Sequence, residues 1–104
     1  MVDNIVSRRL IRVGTGQLFV TIPKSFVKSL DLSVGDRFFW SDSSDGFSLL
    51  LGFSNAVCPS TVLLSHEKSF RLSVPKVNAA FFSDVSIVNF SIKEGVLFLG
   101  KAGN

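Results

Sequence analysis

A mainly β chain with two short helices, laid out as two degenerate repeats, is the fold class this sequence predicts. Three observations carry that expectation. Short runs of β-branched and aromatic residues recur between clusters of Gly, Ser, Asn and Asp, the punctuation of strands and tight turns. Two of these runs end alike, Ile22-Pro23-Lys24 and Val74-Pro75-Lys76, with the prolines 52 positions apart. Eleven Phe without a single Tyr, in a chain that is 46% hydrophobic, supply aromatic material suited to a core.

The elements follow in order. Arg8 to Val13 is β-compatible and meets Gly14-Thr15-Gly16, a turn signal. Leu18 to Ile22 is the next strand. Pro23 lacks a backbone donor and has φ fixed near the helical value, so it suits a helix start. Phe26, Val27 and Leu30 then form one apolar stripe over two turns. Lys24 and Lys28 lie four apart on a neighbouring face. The helix ends near Leu30-Asp31, Gly35-Asp36 turns, and Arg37 to Trp40 opens a third strand. Ser41 to Gly46 reads as a polar turn. Phe47 to Leu51 is a fourth strand, whose leucine run suggests burial on both faces.

Gly52 to Ser60 reads as a linker, and the second half then repeats the first. Ser69 to Lys76 overlays Gln17 to Lys24, Val77 to Phe82 supplies a helix, and Ile87 to Ile92 and Val96 to Leu99 are strands around Lys93-Glu94-Gly95. Leu97-Phe98-Leu99-Gly100 matches Leu49-Leu50-Leu51-Gly52, which makes the second copy about four residues shorter. The predicted organisation is residues 1–52 as a repeat with a basic face, 53–60 as linker, and 61–104 as a degenerate repeat sharing the same core. One half alone, at roughly 45 residues, is too small to bury a core comfortably.

Composition narrows the function. Five basic residues, Arg8, Arg9, Arg12, Lys24 and Lys28, lie between Ser7 and Leu30 with no carboxylate among them. The net charge is +3, with pI near 9.4, which suits a polyanionic partner without demanding one. A single cysteine, Cys58, precludes an internal disulfide and fits a reducing cytoplasm. Asp3 interrupts any basic-then-apolar leader pattern, and no apolar run is long enough to span a membrane. His66 and Cys58 each occur once. They offer too little for a metal site or a nucleophile-base pair, so no enzyme and no cofactor are expected. His66-Glu67-Lys68 reads as a polar turn before a strand. Gly14-Thr15-Gly16 lacks both the P-loop Lys-Ser/Thr and a third glycine, so it reads as a hairpin turn. Phe38, Phe39 and Trp40 are consecutive, so a strand turns at least one of them outward, as a base-stacking platform or a protein contact.

Taken together, Arg8-Arg9, the Gly14-Thr15-Gly16-Gln17 turn, Val20-Thr21-Ile22-Pro23-Lys24, Leu30 and Val34-Gly35-Asp36 resemble the AbrB/SpoVT, or swapped-hairpin, family. The likeness covers about residues 7 to 51, is faint over 61 to 100, and is greatest to archaeal members. It implies a swapped-hairpin β-barrel with short helices, in which two copies interleave. The two copies come either from a homodimer or, as in MraZ-type members, from one pseudo-dimeric chain. It also implies double-stranded DNA as partner and a role in transcriptional regulation in the cytoplasm, on the nucleoid. The matching contact positions are Arg8, Arg9, Arg12, Gln17, Lys24 and Lys28. Arg8, Arg9, Lys24 and Lys28 would neutralise phosphates, and Arg12 and Gln17 would read base edges or groove shape. Asp31 stands where the family has a helix-ending glycine. Asp tolerates the left-handed conformation, so the fold expectation stands. Two other readings belong to different classes: an antitoxin-like or adaptor module that binds a protein, and a structural or assembly protein that uses exposed Phe.

Overall fold

The computed structural model describes residues 5–14, 16–52 and 58–102. In chain order the first half carries β1 (Ile5–Arg9), β2 (Ile11–Arg12), β3 (Leu18–Ile22), α1 (Lys24–Ser29), β4 (Arg37–Ser43) and β5 (Gly46–Leu51). The second half carries β6 (Ser60–Val62), β7 (Leu64–His66), β8 (Ser69–Ser73), α2 (Lys76–Ala79), β9 (Ile87–Lys93) and β10 (Val96–Lys101). A 3₁₀ turn, Ala80–Phe82, extends α2.

The strands form two antiparallel sheets, so the chain is mainly β, as its sequence predicts. The larger sheet has the order β1-β9-β10-β5-β4-β6 and the smaller β2-β3-β8-β7. Each half contributes the same six elements, and exchanging the halves reverses both strand orders onto themselves. Each half also lends its first strand to the other: β1 pairs with β9, and β6 pairs with β4. The halves meet along β3–β8 and β5–β10. Among the described residues the hydrogen bonding leaves β1, β6, β2 and β7 as sheet edges, so the ladders do not run round one closed barrel.

One core joins both sheets and both helices. Val20 and Leu72, direct partners across β3–β8, enter it from the smaller sheet. Phe38, Trp40, Leu49, Phe90 and Leu97 enter from the larger sheet, and Phe26 and Phe82 from the two helical segments. The buried Trp40 indole N–H donates to Thr61 Oγ1 at 2.9 Å, so this large apolar side chain leaves no orphan donor inside.

Several local expectations need correction. Arg8 to Val13 is not one regular strand. It breaks at Leu10, which is buried while the chain crosses from the larger sheet to the smaller, and whose N–H donates to the Ser86 carbonyl at 2.8 Å. Leu63 makes the equivalent crossing, donating to the Asp36 carbonyl at 2.8 Å. Ser60, expected to end the linker, opens β6, and His66, expected in a turn, ends β7, because an edge strand gains hydrogen bonds without needing a strong pattern of its own. Of the expected linker, residues 53–57 lie outside the described residues, as does Thr15 of the Gly-Thr-Gly turn.

Ser41 to Ser43 is strand rather than turn, and only Ser44-Asp45 reverses the chain. The leucine run is not buried on both faces. Leu49 is core. Leu50 points to the outer face of the larger sheet and is exposed, and Leu51, on the same face as Leu49, is exposed at the end of the strand. Pro23 and Pro75 precede their helices as caps, with ψ of 141° and 144°, instead of occupying the first helical position.

The hairpin turns Ser44-Asp45 and Glu94-Gly95 correspond at a spacing of 50 positions, against 52 for the prolines. The second half is therefore two residues shorter between helix and hairpin, not four. Leu49 matches Leu99, and it pairs with Leu97 across the ladder. A two-residue slip keeps every side chain on its face, which is why the sequence alone did not expose it.

Candidate nucleic-acid interface

The basic residues of the N-terminal stretch are carried by four different local structures. Arg8 and Arg9 are consecutive on the edge strand β1, beside Val88 and Ile87 of β9, and so project to opposite faces of the sheet. Arg9 is exposed. Arg8 is half-buried, and one guanidinium nitrogen donates to the Ser7 carbonyl at 2.9 Å. Arg8, Leu10 and Arg12 do not form one presented face, because Leu10 is core and the strand breaks there.

Arg12 has a second task. One terminal nitrogen (Nη2) donates to the Phe82 carbonyl at 2.9 Å and to the Val85 carbonyl at 2.7 Å. These carbonyls close the helical segment of the other half, and the Phe82 carbonyl, which also accepts the Val85 N–H at 3.1 Å, is shared between the two donors. A cation there also meets the negative end of the helix. The side chain expected to read bases therefore fastens the two halves together.

Gln17 closes the β2–β3 turn. Val13 N–H donates to its carbonyl at 2.9 Å, and Gly16 takes φ of 91°, a conformation glycine adopts without strain. Gln17 borders a small cavity of about 140 Å³ together with Lys76 and Ala79, so the turn of one half sits beside the helix start of the other. Lys24 and Lys28 are exposed on consecutive turns of α1, which packs on β8 of the second half. Phe26 is the buried residue of that helix, and Asp31 ends it in the left-handed conformation with φ of 53°. Among the described residues, Arg8, Arg9, Lys24 and Lys28 make no ion pair, whereas Lys101 lies 3.7 Å from Asp84. Asp36 folds back to accept the Ser33 N–H at 2.8 Å.

The second half matches this set poorly. Following the strand and proline registers, Arg8, Arg9 and Arg12 correspond to Thr61, Val62 and Ser65, Gln17 to Ser69, and Lys28 to Ala80. Only Lys24 has a basic counterpart, Lys76. Arg71 of β8 corresponds to Phe19, and its guanidinium lies 5.1 Å from that ring's centroid. The contacts made by Arg12, and the meeting of Gln17 with Lys76, cross between the halves. Sequence separation hides them, and only the exchange of first strands would have revealed them.

Among the described residues no three His, Cys, Asp or Glu side chains gather as metal ligands, and no helix is long and apolar enough to cross a membrane. No family model, no curated protein and no solved structure matches this chain.

Proposed function

We propose that this chain binds double-stranded DNA, as a transcriptional regulator, and that its two halves are a fused version of the swapped-hairpin barrel that the N-terminal motif resembles. The observation that carries the reading is a stretch from Ser7 to Leu30 without a carboxylate, in which Arg8, Arg9, Lys24 and Lys28 lack an ion-pair partner among the described residues. Unpaired cations on one segment attract a polyanion and have nothing to surrender on binding it. The reciprocal loan of β1 and β6 between the halves supports the interleaved architecture.

In this reading Arg8, Arg9, Lys24 and Lys28 neutralise phosphates. Gln17, on an exposed turn with Lys76 nearby, reaches base edges or senses groove shape. Arg12 positions the turn, with its remaining donors free for a phosphate. The test is binding of the protein to a random-sequence duplex by fluorescence anisotropy over a range of salt. Neutralising four to six phosphates gives a slope of log K against log salt of about −4 to −5. A flat response, or no binding at low salt, rejects the proposal.

A further inference from the structure

The near two-fold symmetry of the chain fails at one spot in a chemically pointed way. In the first half, Phe26 of α1 is buried and set edge-on to Phe90 of β9, ring centroids 6.4 Å apart. The proline register places Asn78 where Phe26 stands, and the hairpin register places Trp40 where Phe90 stands. Ile92, two residues beyond Phe90 and packed on the core, is matched by Asp42. Two apolar plugs on one side of the molecule are thus a carboxamide and a carboxylate on the other.

The consequence is a cleft of about 550 Å³ between β4, α2 and the chain entering β6. Its apolar lining includes Trp40, Phe47 and Phe81, which touch edge-on in series at 5.7 and 5.2 Å. Asn78 and Asp42 also line it, as does Cys58. Asn78 is only 9% exposed, and its Nδ2 is buried with no hydrogen-bond acceptor among the described residues. A buried amide donor without a partner is a standing penalty that a phenylalanine, as in the other half, would avoid. Turning the amide by 180° exchanges its nitrogen and oxygen without changing its shape, so the cleft can be offered either a donor or an acceptor. Asp42 is exposed and has no ion pair among the described residues.

The geometry points to a ligand-binding site here, for a small planar ring that carries a positive charge or ring N–H groups. Half-buried Phe81 supplies the accessible aromatic wall, with Trp40 and Phe47 buried behind it, Asn78 pairs with the polar edge of the ring, and Asp42 attracts its charge. The volume falls within the range of small-molecule pockets, and a few convergent polar groups in an aromatic lining are the usual makeup of such sites. The inference is independent of DNA binding, since none of these residues belongs to the basic stretch.

Trp40 is the only tryptophan in the chain, so its fluorescence reports the cleft directly. The protein is titrated with benzamidine, adenine and imidazole, and with benzoate as the anionic control. A saturable change with at least one of the first three, and none with benzoate, is expected. Asn78→Phe, which copies the other half, should abolish the change. Asp42→Asn should weaken benzamidine about tenfold, the worth of one charge-assisted contact. Should Asn78→Phe fail to fold, protection of Cys58 from iodoacetamide by the same ligands in the unaltered protein replaces it. No saturable response from any of the three rings overturns the site. So does undiminished binding in folded Asn78→Phe, or ligand-independent labelling of Cys58.

Discussion

At the scale of single residues, the side chains with the plainest sequence signal are not all used as that signal suggests. Arg12 sits in a basic run and invites a role in recognition, yet two of its hydrogen bonds hold carbonyls of the other half. Removing it should therefore register first in stability. Arg12→Ala is expected to lower the unfolding free energy by about 1–2 kcal/mol, the worth of partly exposed charge-assisted bonds. The urea midpoint measures this, and an unchanged midpoint would show that the contacts contribute nothing. Lys24 and Lys28 are the contrasting case. They are exposed on a short helix and their loss costs the fold little, so Lys→Ala at either should leave the midpoint in place and make the salt slope shallower by about one. Arg8, Arg9, Lys24 and Lys28 were legible because charge and strand or helix spacing are local properties. The unpaired Asn78 was not, because its oddity exists only by comparison with Phe26 and Trp40 across the fold.

At the scale of elements, the strands with strong alternation and the two proline-started helices could be read from the chain. The weak ones could not. β6 and β7 are three residues each and owe their conformation to β4 and β8. The split of the first strand at Leu10 is likewise a tertiary event, since nothing in Arg9-Leu10-Ile11 breaks a strand. The hairpins show where an element depends on one atom. Gly46 pairs with Gly100 across β5–β10, and a Cβ on Gly46 would collide with the Leu99 carbonyl oxygen. The obstacle is backbone in the middle of a sheet, so it cannot swing aside. Gly46→Ala should cost about 3 kcal/mol, the upper end for overpacking a fixed site, whereas Gly95→Ala meets no neighbour and pays only for its φ of 79°. Thermal unfolding of both variants orders them, and equal melting temperatures would contradict the close approach.

At the scale of the molecule, each half depends on the other, and yet the two are unequal. A fragment ending at Asn55 keeps β1, β3 and β5 but loses β9, β8 and β10, their partners. It should be unfolded or pair with a second copy of itself, and a stable monomer by analytical ultracentrifugation would refute the interdependence. The inequality is one of charge. The register gives the second half Thr61, Val62, Ser65 and Ala80 where the first has Arg8, Arg9, Arg12 and Lys28. If the unpaired cations bind DNA, the duplex engages one side of a molecule whose backbone has two alike. Replacing Arg71 and Lys76 by Ala should then cost much less affinity than replacing Arg8 and Lys24, at matched salt and with folding intact by circular dichroism. The converse change is the sharper test. Val62→Arg with Ala80→Lys places cations on the second half at positions that are half-buried on an edge strand and exposed on the helical segment, so neither need disturb the core. That variant should steepen the salt slope by up to about two on a duplex long enough to reach both sides, and not on one that covers a single side. Equal losses from the two double alanine variants, or no change on adding the two cations, would mean that the charge asymmetry has nothing to do with binding.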